Sequence, residues 1–291
     1  MPPLLRTRRL SPWLYVIPAL LILIFFLIYP SIHTFYLSFL GKRSHEFVGL
    51  KNYIYAFTND SMVLAFRNNA LWVVFFTVLS VTIGLILAVL LDRVRYEQIV
   101  KSIIFLPMAI SMVGASVIWK FIYAYRPPNI PQIGLLNGVV DFFGGQPVGW
   151  LIEKPWNNLF IMIVGVWIWT GFCLVVFSAS YKNIPKEVVE AARIDGASEW
   201  QVFWRIVLPL MRPTIAMVAT TMIVFVLKIF DLVYVMTNGN LGTEVIANRM
   251  VKMFQYPDFG KASSLAVILV ILIIPIMLIN MRRVRRQREM R

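Results

Sequence analysis

The sequence predicts an all-α, polytopic membrane protein with six transmembrane helices. Three observations carry that reading. Mean hydropathy is +0.74. Only 14% of the 291 residues are charged while 59% are hydrophobic, against about 25% charged in an ordinary soluble domain. And six separate stretches each supply the roughly 20 mostly apolar residues needed to cross a hydrocarbon core about 30 Å thick. The single cysteine, Cys173, excludes a disulfide framework and a multi-cysteine metal site. His33 and His45 are not at helical ligand spacing. The formal charge of +14 comes with no aromatic-interleaved basic motif and no zinc signature, so membrane lipid rather than nucleic acid is the expected partner of the basic residues.

The first span runs from Trp13 to Phe39. Arg6, Arg8 and Arg9 precede it as in a signal peptide, but the apolar run exceeds the about 7–15 residues of such a leader and no small-x-small cleavage site follows, so an uncleaved span is expected. Residues 41–69 then form a loop with a short amphipathic piece. The second span, Ala70 to Leu91, places Thr77, Ser80 and Gly84 on one face, a pattern that suits close helix packing. In the third, Ile103 to Tyr125, Lys120 interrupts the far end and is expected to snorkel to the interface. Residues 126–157, rich in Pro, Gly and Trp, suit an irregular outer cap with interfacial tryptophans.

The fourth span, Asn158 to Ser180, carries Trp167, Thr170, Gly171, Leu174 and Ser178 along one face, again the mark of packing before that of a ligand site. The fifth, Pro213 to Met236, holds an opposite-charge pair, Lys228 and Asp231, expected to form an internal salt bridge. The connection 237–261 is expected to dip back into the protein, and Ala262 to Met281 is the sixth span. Pro107, Pro213 and Pro275 mark places where a span can bend, because neighbours can re-satisfy the freed carbonyls. With the N-terminus in the cytoplasm, the majority of the 28 Lys and Arg fall in cytoplasmic segments. Both termini are therefore expected inside, and the tail from Arg282 is expected to anchor the topology at about 1 kcal/mol per basic residue beside anionic lipid.

The most informative connection is Ile184 to Pro209, between spans four and five. Pro185 suits the first position of a helix, and Glu187 and Glu190 favour its first turns through the dipole. Gly196 supplies the left-handed stop, Ser198 caps a second helix, and Pro209 is expected to end that helix before span five. Ala191 and Ala192 leave room for another protein, Glu190 offers it a charge, and Phe203, Ile206 and Leu208 give an inward apolar face. A helix–turn–helix on the inner surface results.

Glu190-Ala191-Ala192, Asp195-Gly196-Ala197, Phe203, Ile206 and Leu208-Pro209 resemble the "EAA" coupling motif of bacterial ABC importer permeases, and the similarity spans about residues 67–283, the type-1 permease core. Residues 1–66 would then be the N-terminal tail, first span and outer loop, and 284–291 a basic cytoplasmic tail. The resemblance implies that the two short helices dock on a separate ATPase. The chain has no Gly-x-x-x-x-Gly-Lys-Ser/Thr loop for ATP phosphates, so no cofactor is expected in it, and ATP and magnesium belong to the ATPase.

Phe230-Asp231-Leu232-Val233-Tyr234 through Gly239, and Phe254 through Ser264, resemble the maltose and glycerol-phosphate group of sugar importers. Where that group continues Gly-Gly-Pro, this chain has Gly239-Asn240-Leu241, most like permeases for α-glucosides. The implied partners are a second related permease, two ATPase subunits and a periplasmic or lipid-anchored sugar-binding protein. A sugar pathway needs aromatic and polar walls, which singles out Trp167, Thr170, Asp231 and Tyr234. The alternative is an ion-coupled secondary transporter, which would show internal repeats and midplane ionisable residues. Neither stands out here.

Overall fold

The computed structural model describes residues 11–92 and 94–289. Arg6, Arg8 and Arg9 ahead of the first span, and the side chains of the basic tail beyond Arg282, lie outside the described residues. Among the described residues the chain is helical, with one isolated bridge between Leu40 and Phe47. Among the described residues five helices are long and apolar enough to cross a membrane, or six if a bent pair is one span.

The chain divides into two compact units, Met1–Asn59 with Met250–Ile268, and Asp60–Arg249 with Leu269–Arg291. In the first unit, α1 (Tyr15–Leu37) exposes its whole apolar surface, as lipid-facing residues would. Behind α1 a loop leads to α2 (Lys51–Thr58). Asn52 of α2 donates to the carbonyls of Ser38 and Leu40, both at 2.8 Å. Lys261 pairs with Asp258 at 3.1 Å and lies 4.4 Å above the Tyr55 ring.

The second unit holds the packed core. Its first helix, α3 (Asp60–Leu91), includes a π turn at Trp72–Phe76 and packs along α7 (Trp156–Lys182). The small residues of both predicted faces allow that approach. Thr77, Ser80 and Gly84 are buried, and a Cβ at Gly84 would collide with that of Cys173 on α7. Trp72, Phe76, Ile161, Phe177, Met222 and Leu232 fill the centre.

Two expected spans are corrected. Ile103 to Tyr125 is not one rod but α4 (Glu97–Phe105), a 3-10 turn (Leu106–Ala109) and α5 (Met112–Ile122), bent by 99°. Pro107 sits in that turn, where its missing N–H and fixed φ favour a break over continuation. Extended Ser111 restarts the chain, its Oγ accepting from Gly114 N at 3.0 Å. Lys120 of α5 is exposed, and its Nζ donates to the Val235 carbonyl at 3.3 Å.

The fifth span also differs. It starts at Glu199, not Pro213, and α9 (Glu199–Leu227) is followed by a break and a short α10 (Asp231–Met236). The Leu227 carbonyl left open by the break accepts from Asn69 Nδ2 of α3 at 3.2 Å, and Asn69 Oδ1 accepts from Ile246 N at 2.9 Å. With Lys228 outside both helices, the expected ion pair to Asp231 does not form; none joins them among the described residues.

The outer cap is not wholly irregular, since α6 (Leu135–Phe142) forms within it. Asn137 of α6 donates to the carbonyls of Ala124 and Val148, both at 3.0 Å, and accepts from Val148 N at 2.9 Å. The loop 237–245 does enter the protein, with Thr243, Glu244, Val245 and Ile246 all buried. Its descent is fixed by amides. Asn68 Nδ2 donates to the carbonyls of Gly242 and Glu244 at 2.8 Å, Asn158 Nδ2 to Asn68 Oδ1 at 3.0 Å, and Trp72 Nε1 to Asn158 Oδ1 at 3.0 Å. The chain then continues through α11 (Ile246–Gln255) into α12 (Phe259–Glu289).

Candidate functional site

At the Lys182 end of α7, the chain leaves the bundle as a hairpin. Its first arm is α8 (Lys186–Ile194), with Pro185 as the N-cap residue rather than the first helical one. The exit is a Schellman turn. Gly196 N donates to Arg193 O at 3.0 Å and Ala197 N to Ala192 O at 2.9 Å. Gly196 holds φ at +84°, the left-handed conformation that the stop requires.

The return arm begins with a capping box. Gln201 N donates to Ser198 Oγ at 3.3 Å and Ser198 N to Gln201 Oε1 at 2.9 Å. Across the turn, Arg193 Nε and Nη2 donate to the two carboxylate oxygens of Glu199 at 2.8 and 3.2 Å. Such a fork-to-fork pair fixes an angle as well as a distance. Glu199 in turn holds the Arg193 proton more firmly than usual.

Pro209 does not end the return arm. The helix runs unbroken into the span, because a π turn at Phe203–Val207 takes up the disturbance, with Leu208 N donating to Phe203 O. In a regular helix Pro209 would crowd the Arg205 carbonyl and leave it without its donor; the wider turn accommodates that loss. The hairpin's second helix is therefore the first two turns of a membrane span.

The turn also rearranges the inward face. Val202 and Val207 are the buried residues, while Phe203, Ile206 and Leu208 are half-buried. The outward face sets large apolar side chains among charged ones such as Glu187, Glu190 and Arg193. Ile194 is 85% exposed, Trp200 70% and Val188 44%. Glu190 and Ala191 are exposed beside them and Ala192 half-buried. These bulky outward residues fall outside the short motif; only their position on the helix, once its inner face was known, could have marked them. Under the hairpin lies a cavity of about 540 Å³ lined by Asp92, Tyr181, Lys182, Lys186, Glu190 and Arg193 among others.

The four pathway residues stand on two helices that contact each other, α7 and α10. Thr170 is buried and its hydroxyl donates to its own helix, to Val166 O at 2.7 Å. Trp167 meets Trp119 of α5 edge-on, with centroids 5.5 Å apart. Asp231 and Tyr234 stand on α10, where Tyr234 stacks on Phe230 at 4.9 Å. No group of three or more His, Cys, Asp or Glu among the described residues could hold a metal ion.

A family model for "Binding-protein-dependent transport system inner membrane component" matches residues 80–289. Osmoprotective compounds uptake permease protein GgtC of Synechocystis sp. is 60% identical over 88% of this chain and 92% of its own. Alpha-glucoside transport system permease protein AglF of Rhizobium meliloti is 46% identical over 90% of this chain and 79% of its own. The fold is that of a chain in a bacterial alginate ABC transporter crystallised with an alginate pentasaccharide-bound periplasmic protein. The match has a TM-score of 0.81 at 22% identity, over 94% of this chain and 93% of that one.

Proposed function

The chain belongs to the family of binding-protein-dependent transport system inner membrane components, and from that premise we propose that it is the permease subunit of an ATP-driven importer for a small neutral α-glucoside. One observation carries the proposal: a hairpin braced internally by a Schellman turn, a capping box and the Arg193–Glu199 fork presents Ile194, Trp200 and Val188 to the outside. A rigid element that holds large apolar side chains exposed among charged ones suits a protein partner. Glu190, Ala191, Ala192, Asp195, Gly196 and Ala197 form its docking edge, and Phe203, Ile206, Leu208 and Pro209 connect it to the span.

In this reading the hairpin lies in the cytoplasm and seats in a separate ATPase, one of two that hold the ATP and magnesium. Closure of the ATPase pair moves the hairpin and reopens the cavity outward, where a periplasmic or lipid-anchored binding protein delivers the sugar. A second, related permease completes the pathway. Trp167, Thr170, Asp231 and Tyr234 are proposed as wall residues of this chain's half of the pathway. AglF supports an α-glucoside and GgtC an osmoprotective compound; a small, uncharged, hydroxyl-rich glucoside satisfies both.

The test is uptake of radiolabelled sucrose, trehalose and maltose into proteoliposomes holding the chain with its co-purified companions. Uptake should require ATP and the binding protein and ignore an uncoupler. Uptake that persists without ATP and collapses with the uncoupler would establish the ion-coupled alternative instead.

A further inference from the structure

We propose that Glu97 is a positioning residue for coupling, an ionic strut that ties the root of the hairpin to the bent span. The inference rests on reading α8 as the coupling element. Glu97 is the first residue of α4, and its carboxylate bridges two helices. Lys101, one turn along α4, pairs with Oε1 and also donates to Ser178 Oγ on α7. Lys182 Nζ donates to Oε2 at 2.7 Å. Lys182 is the last residue of α7, and α8 begins at Lys186. The strut is thus fastened where the hairpin leaves the bundle.

The second contact between α4 and α7 is of a different kind. A Cβ at Gly171 would sit 2.6 Å from the Ile104 carbonyl oxygen, so here the two backbones touch. One such contact fixes a point and leaves rotation about it free. The ion pair at Glu97, about two turns away along α4, fixes the direction as well. Together they make α4 follow α7 as a lever. Its far end is the 99° bend into α5, and α5 packs on α10 and meets Trp167 through Trp119. Movement of the hairpin root is thereby passed to the helices that carry the proposed pathway residues. At the joint itself the Glu97 side chain is 15% exposed and Lys182 51%, and Lys101, 16% exposed, closes the inner side of the carboxylate.

The experiment compares E97Q, E97K, K182E and the exchange E97K/K182E in the reconstituted complex. It measures radiolabelled α-glucoside uptake, ATP hydrolysis and thermal unfolding on the same preparations. With E97Q, uptake should fall about five-fold relative to hydrolysis, within the range expected for residues along a coupling network, while unfolding is nearly unmoved. E97K should be worse, and the exchange should recover at least half of the lost ratio. An unchanged uptake-to-hydrolysis ratio in E97Q overturns the proposal, as does an exchange no better than E97K. If I194D abolishes coupling while E97Q does not, the strut alone fails. Should the unaltered complex show no ATP-driven uptake, the functional reading itself fails.

Discussion

Gly196 is where the conformational and the docking explanations of the motif can be separated. Its φ of +84° costs glycine nothing, whereas a β-branched residue there carries about 1–2 kcal/mol of strain. Among the described residues, its two chain neighbours aside, no atom lies within 4 Å of a Cβ placed at this position. Within the chain, therefore, a substitution acts through the backbone alone. At about 1.4 kcal/mol per factor of ten, Gly196→Val should reduce the closed-to-open ratio of the turn by roughly 5–30-fold. Asparagine tolerates the left-handed region far better, so Gly196→Asn should change that ratio little.

The assay is ATP-driven glucoside uptake by the reconstituted complex, with hydrolysis measured in parallel. The expected order is wild type and Gly196→Asn together, Gly196→Ala between, and Gly196→Val lowest. If Asn proves as damaging as Val, the glycine is needed for close approach of the ATPase, and the conformational reasoning is refuted. Should all three variants transport like the wild type, the hairpin does not transmit.

Other substitutions test the remaining contacts. Ser198→Ala removes the capping box and should destabilise the return arm by about 1 kcal/mol, seen as faster hydrogen exchange at the amides of 199–202. Ile194→Asp and Trp200→Ala alter exposed side chains and should move unfolding by no more than about 0.5 kcal/mol, yet abolish stimulation of the ATPase. Asn158→Ala leaves the Trp72 indole N–H without its acceptor and should cost about 1–3 kcal/mol, read as a lower melting temperature in detergent. Gly84→Ala drives a Cβ into that of Cys173 and should reduce the folded yield, with partial recovery in Gly84→Ala/Cys173→Gly.

What the sequence revealed follows the range of the interactions concerned. The Gly196 stop and the Ser198 cap depend on neighbours within a few residues, and both stand as expected. The break after Leu227 has no proline or glycine to announce it. It is held by Asn69, whose amide serves both Leu227 and Ile246. In the same way Glu97 and Lys182 belong to different helices, and no local period pairs them. Pro209 misled for the opposite reason: a local rule was sound, but a π turn met its demand without ending the helix.

That continuity has a mechanical consequence. A hairpin whose second arm stopped at Pro209 would hang from the span by a flexible joint, and a force applied to it would be lost there. Because the helix is unbroken from Glu199 to Leu227, a tilt of the docked end rotates the whole rod. A helix of that length spans about 40 Å, so a displacement of a few ångströms at one end tilts it by only a few degrees. The other end must then be free to respond, and there the backbone opens between Leu227 and Asp231 under the side chain of Asn69. In the proposed coupling, a stiff arm with a hinge beyond it would deliver motion to α10. Inserting two glycines after Val207 should therefore cut uptake while leaving ATPase docking intact; uptake that survives the insertion would show that force reaches the pathway by another route.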